Sequence, residues 1–249
     1  MERGILAGRQ LLARKIKLMR IKPFNVSKPK PIEPALDQGQ IVQAAIDLLD
    51  EVGFDGLTMR NLAKKLGVQA ASLYWHVRNK QDLLSLLAEE ICAPMREPDR
   101  TLPWQKQLEE MANEFRRVLL VHRDAAQVLA SSGGPSGPKR LRLTEIGLRT
   151  LLDAGFSEKD AAYAGMLMND YIIMSVLEET RYAVLEAEGT SEDSSLDVQN
   201  WVESLQANEY PSLIALANYL TEPDGDERFR FGVDLLRNGL ESLLARGKS

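Results

Sequence analysis

Apolar and polar positions alternate with a helical repeat along most of the chain, and no stretch reads convincingly as a strand. Ile41, Ala44, Ala45, Leu48, Leu49 and Val52 recur at i, i+3, i+4 and i+7, the buried face of a helix that Gly53 closes. Thr58 is placed to cap a short helix reaching Leu66, with Leu62, Ala63 and Leu66 turned inward. Gly67 interrupts, a third helix is predicted from about Gln69 to Val77, and Asn79 caps a fourth carrying Leu83, Leu84, Leu87 and Ile91. Pro94 stops it, and "REPDRTLP" (96–103) reads as a hinge. Amphipathic segments follow over 104–122, 123–130, 139–154, 157–188 and 226–245, with shorter helices around 197–206 and 210–220. Loops are expected at 131–138 and 188–195. The pattern predicts an all-α protein with helical domains over 37–93 and 94–249.

The first 36 residues differ. Residues 22–36 hold four prolines and read as an extended linker. Residues 1–20 space Ile5, Leu12, Ile16 and Met19 at helical intervals among arginines and lysines, and Arg9 and Arg14 break any signal-peptide core. A transit peptide or a membrane-surface helix fits that composition; a solvated basic tail, or a start codon set upstream of a natural start at Met19, is the expectation. Such a tail can run along phosphates or enter a minor groove through Arg9, Arg14, Lys15, Lys17, Arg20, Lys22, Lys28 and Lys30.

Charge sharpens the division. The chain carries −5 overall, but 1–35 carry +7, 36–93 carry −3 and 94–249 carry −9. A polyanion would therefore meet the N-terminal end. Cys92 is the single cysteine, so no intrachain disulfide forms and a cytoplasmic, reducing compartment is expected. With His76 and His122 as the only histidines, no His/Cys zinc site is expected, and neither is any other metal or cofactor. No apolar run approaches a membrane span. There is no Gly-rich phosphate loop and no H-E-x-x-H, and "GPSG" (134–137) is not a nucleophile elbow, so no enzyme is expected.

The two short helices around Gly67 form a helix-turn-helix pattern, and residues 56–81 contain no acid. In the first turn of the second helix, Gln69 suits adenine, Ala70 and Ala71 suit a thymine methyl, and Ser72 bonds either way. Tyr74, Trp75, His76 and Lys80 suit phosphates, and Arg60 can reach the groove wall or a base. The competing reading is a glycine turn in an ordinary helical bundle, with the aromatics in the core.

"GLTMRNLAKKLGVQAASLYWHVRNKQDLL" resembles the DNA-binding domain of the tetracycline repressor (TetR) family of bacterial regulators, above all in "LYWHV" and "NK..LL". The resemblance covers about 38–93 and continues more weakly through "WQKQLEEMANEFRRVLLVHRDAAQVL", "LLDAGFSEKDAAYAGMLMNDYIIMSVLEE" and "FGVDLLRNGLESLLA". It implies a homodimer on a palindromic double-stranded operator, with half-sites roughly 34–36 Å apart. It places Arg60, Gln69, Ala70, Ala71 and Ser72 toward bases, and Thr58, Tyr74, Trp75, His76 and Lys80 toward the backbone. The tetracycline-responsive member has a larger polar residue where Ala70 stands, which implies a different operator here. The resemblance also implies repression relieved by a small-molecule inducer, through a tilt of the 80–93 helix that spreads the recognition helices. The alternative is a DNA-binding dimer without a ligand, an architectural factor or an activator.

The second domain is expected to dimerise and bind the inducer. Residues 161–177 are apolar enough to be buried on most sides, and with Phe229, Val233, Leu236, Leu240, Leu243 and Leu244 they fit a dimeric four-helix bundle. Asn169 and Asp170 either fix helix register across that bundle or line a cavity. Met111, Phe115, His122, Gln127, Ser132, Met166, Met174 and Glu178 join them as candidates for a mostly apolar pocket, with Ser131 and Tyr163 on the same apolar faces. The family's Mg²⁺-ligating histidine falls on Leu129, and its other pocket histidines fall near Arg96 and Asn169. Phe115 and Glu178 alone keep matching types, so a Mg²⁺–tetracycline chelate is not the expected inducer.

Overall fold

The computed structural model describes residues 36–187, 200–221 and 224–247, and among these every regular element is a helix. The basic tail and most of the proline linker lie outside the described residues, as do the 188–195 loop and the start of the helix expected at 197. The N-terminal end is built from α1 (Gln38–Gly56), α2 (Met59–Lys65), α3 (Ala70–Tyr74) and α4 (Lys80–Cys92). Then come α5 (Trp104–Leu119), α6 (Ala125–Ser131), α7 (Pro138–Ala154), α8 (Glu158–Ala187), α9 (Pro211–Thr221) and α10 (Gly225–Gly247).

Local chemistry sets the helix ends. Asp37 and Gln40 form a reciprocal capping box on α1, Asp37 Oδ1 accepting from Gln40 N at 2.7 Å. Thr58 Oγ1 caps α2 through Asn61 N at 3.1 Å, and Asn79 Oδ1 caps α4 through Asp82 N at 2.9 Å. Gly53 sits at φ +72° and kinks α1 instead of ending it, the helix resuming for one turn to Gly56. The first core gathers Ile41, Ala45, Leu49, Leu57, Leu62, Leu73, Leu83 and Leu87, all fully buried.

Helix α4 belongs to both halves. It packs on α1 and also on α5, α6 and α7, while α8 touches α5, α6, α7 and α10. The second core is centred on Leu108, Leu151, Phe156 and Ala161, with Trp104 edge-on to Phe156 at 5.4 Å. Arg116 ties three helices together. Its guanidinium makes three bonds to Glu179 and an ion pair with Asp226 (2.6 Å), and lies over the Phe229 ring. Burial alone would weaken its charge, but those carboxylates hold its pKa above the ordinary arginine value.

Two expectations need correction. The 96–103 segment is not a loose hinge: Arg96 N and its guanidinium both bond Glu114, and Asp99 N bonds Glu110 at 2.9 Å. Phe229 and Val233 are not left exposed for a partner helix either, being buried within the chain itself, where Phe229 stacks on Tyr171 at 6.0 Å. The apolar side chains that α10 exposes are Phe231, Leu235 and Leu243.

Candidate nucleic-acid interface and ligand cavity

The turn between α2 and α3 depends on Gly67, at φ +69°, where a Cβ would meet nothing but the conformation itself disfavours any other residue. Val68 N reaches back to Ala63 O at 3.0 Å and locks the reversal. Helix α3 is shorter than predicted, because Trp75 N and His76 N bond back to Ser72 O and Leu73 O in a tightened last turn. Leu73 and Val77 are buried and pin the helix by one side. Gln69, Ala70, Ala71, Ser72, Tyr74, Trp75 and His76 are all exposed, Trp75 at 90%. The aromatics are therefore not core. Arg60 and Lys64 are exposed beside them, and Thr58 is half-buried with its hydroxyl spent on the α2 cap. Lys80 is more constrained than its expected phosphate role implies, its ammonium lying 4.4 Å from the Phe54 ring centre and 3.4 Å from Phe54 O.

A set of polar contacts joins this end to the rest. Asp50 accepts from Arg123 N at 3.0 Å and meets His122 Nδ1 at 2.9 Å. Asp124, itself left-handed at φ 54°, accepts from Phe54 N at 2.8 Å. A Cβ on Gly53 would come within 2.7 Å of that carboxylate, so the contact needs glycine. Along α4, Gln81 Nε2 donates to Ser131 O and Ser85 Oγ to Ser132 O.

A cavity of about 860 Å³ opens among α4, α5, α7 and α8. Met111, Phe115, Leu129, Met166, Ile173 and Met174 give it an apolar wall, while Asn169, Asp170, Thr144 and Arg140 are polar groups on it. Cys92 and Met95, at and just beyond the end of α4, form part of the wall, so one helix runs from the cap after α3 to the cavity. Burial pushes the Cys92 thiol up to about 11, which keeps it neutral at pH 7. Among the described residues no cluster of His, Cys, Asp or Glu is placed to hold a metal ion, and no helix is long and apolar enough to cross a membrane.

Two family models match the chain: "Bacterial regulatory proteins, tetR family" over 41–87, and "Tetracyclin repressor-like, C-terminal domain" over 97–244. The chain belongs to the TetR family. Tetracycline repressor protein class D of Escherichia coli is 35% identical over 215 residues, covering 84% of this chain and 91% of that one. The Streptomyces coelicolor TetR family protein ActR, solved in complex with actinorhodin, superposes with a TM-score of 0.72 at 33% identity, covering 84% and 97%. BioQ, solved with its double-stranded DNA operator, gives 0.61 at 27% identity, covering 82% and 98%. The protein is thus a transcriptional repressor of the TetR family, which is not a family of enzymes.

Within this TetR framework, Met111, Phe115, Met166, Asn169, Asp170 and Met174 lie on the cavity wall. His122, Gln127, Ser132 and Glu178 do not. His122 faces Asp50, Gln127 is exposed, Ser132 Oγ bonds Leu129 O, and Glu178 pairs with Arg181 one turn along α8. Leu129, which the resemblance sets at the Mg²⁺-ligating histidine position, is a buried part of the wall and supplies no ligand atom. Sequence reasoning missed Arg140, Thr144 and Cys92. The first two follow a helical spacing along α7 with Leu143, Gly147, Leu148 and Leu151, a signal that was available.

Proposed function

We propose that the protein acts as a homodimer whose paired α3 helices read a palindromic operator, and that a mostly apolar small molecule in the cavity releases it. The observation that carries this reading is the reach of α4. It starts directly after the exposed, acid-free 69–76 surface and ends in the cavity wall. An occupant that pushes on Cys92 or Met95 moves a rigid helix whose other end sets the angle of α3. Gln69 to Ser72 would contact bases, with Tyr74, Trp75 and His76 on phosphates.

Dimerisation is supported by an exposed apolar face: Tyr163, Met166, Leu167 and Met174 on α8, with Phe231 and Leu235 on α10. Asn169 and Asp170 lie on this side of α8, bonded to each other at 3.3 Å, and the cavity opens here. Both roles considered for the pair, register and ligand contact, are compatible with that position.

The test combines sedimentation with fluorescence anisotropy, on duplexes selected from a random library. One dimer per palindromic duplex, with binding lost in Tyr74→Ala/Trp75→Ala, is the expected result. A monomer, or equal affinity for all sequences, would refute the reading.

A further inference from the structure

The cavity is apolar along most of its wall but not where α7 begins. Arg140 lines that end, half-buried, in the first turn of the helix. One terminal nitrogen of its guanidinium donates to Ser132 Oγ at 3.2 Å and the other to Gly133 O at 3.3 Å, both neutral acceptors. Several other arginines of this domain meet a carboxylate: Arg96 and Arg117 on Glu114, Arg116 on Glu179, Arg142 on Glu97, Arg149 on Asp153. Among the described residues, no carboxylate lies within ion-pair distance of Arg140. Glu89 is in electrostatic reach, but its two oxygens already accept from Lys139 N and Arg140 N at the start of α7. Lys139 sends its own ammonium to Met95 O at 2.8 Å. A partly desolvated cation is therefore left with neutral acceptors beside an apolar chamber. Charges withdrawn from water are ordinarily paired, and burial works against this one, lowering its pKa.

We propose that Arg140 receives an anionic group of the inducer, so that the ligand is an apolar organic acid. Its acidic oxygens would take the donor capacity that Ser132 and Gly133 leave unused, and its body would lie along Thr144, Gly147 and Leu148 on the same face of α7. The assignment rests on the cavity being the inducer site.

The test uses two fluorescent probes with the same aromatic body, titrated into the full-length protein. One is 8-anilinonaphthalene-1-sulfonate, an anion, and the other N-phenyl-1-naphthylamine, which is neutral. Arg140→Gln is expected to weaken the anion by about tenfold or more, the size of a lost charge-assisted contact, and to change the neutral probe by less than about twofold. Arg140→Lys should recover part of the anion affinity. Near-UV circular dichroism checks that each variant keeps its native packing. If Arg140→Gln binds the anion as well as the parent does, the acid receptor is refuted while the cavity stands. Loss of both probes in Arg140→Gln, with no recovery of the anion in Arg140→Lys, makes Arg140 structural and also refutes it. If neither probe binds the parent protein, the cavity reading and the acid receptor fall together.

Discussion

The surface over 69–76 and the cavity are assembled in opposite ways. The first is held by bonds between close neighbours: Thr58 to Asn61, Asn61 Nδ2 to Gly56 O, Val68 to Ala63, His76 to Leu73. Its outward side chains contribute nothing to the core. The cavity wall draws instead on side chains from Cys92 to Leu240, and buried residues such as Leu108, Leu129 and Leu151 are wall and core at once. On the proposed reading, recognition is separable from stability at one end of the molecule and fused with it at the other. The first surface would be free to change its DNA sequence preference, and the second could not change its ligand without repacking.

That contrast is exposed to substitution. Arg116→Ala removes the centre of the α5–α8–α10 clamp and should lower the unfolding free energy by about 3 kcal/mol in urea denaturation, since the half-buried Glu179 is left without its partner. A loss well under 1 kcal/mol would show that the clamp is effectively solvated. Trp75→Ala should leave stability within about 0.5 kcal/mol and weaken operator binding by about tenfold or more. If it lowers the melting temperature instead, the ring packs inside and the separation fails.

Glu114→Gln should cost about 2 kcal/mol at pH 7, because Arg117 and Arg96 both bond this buried carboxylate and hold its pKa far below the ordinary range. A carboxylate whose pKa is depressed in the folded state stabilises above the unfolded value. The gap between parent and variant should therefore narrow as pH falls below about 4.3. A gap that stays constant from pH 7 to pH 3 would contradict this. Gly67→Ala carries the smallest effect, about 1 kcal/mol, from forcing a Cβ into the left-handed region with no clash beyond it.

How much could be read in the sequence follows the same division. The caps at Thr58 and Asn79, the Gly67 turn and the exposed 69–76 run depend on residues a few positions apart, so local pattern reached them. Lys80 escaped, because Phe54 holds it from 26 residues away. In the second domain, periodicity found the helices and the methionines that line the cavity, Met111, Met166 and Met174, but it could not tell which polar group on an apolar face meets the cavity. His122 and Glu178 have the right chemistry and are drawn off by Asp50 and Arg181. Arg140 was overlooked because an arginine in the first turn of a helix normally faces water. On α10 the apolar residues cover both faces, so periodicity did not distinguish Phe229 and Val233, which face inward, from Phe231 and Leu235, which face out.

The central claim is that cavity and operator surface are coupled through α4. The most direct measurement takes a compound that displaces the anilinonaphthalene probe from the cavity and follows operator anisotropy as its concentration rises. Operator affinity should fall, and affinity for the compound should fall by the same factor when operator is present. A fully occupied cavity with unchanged operator affinity would contradict the claim.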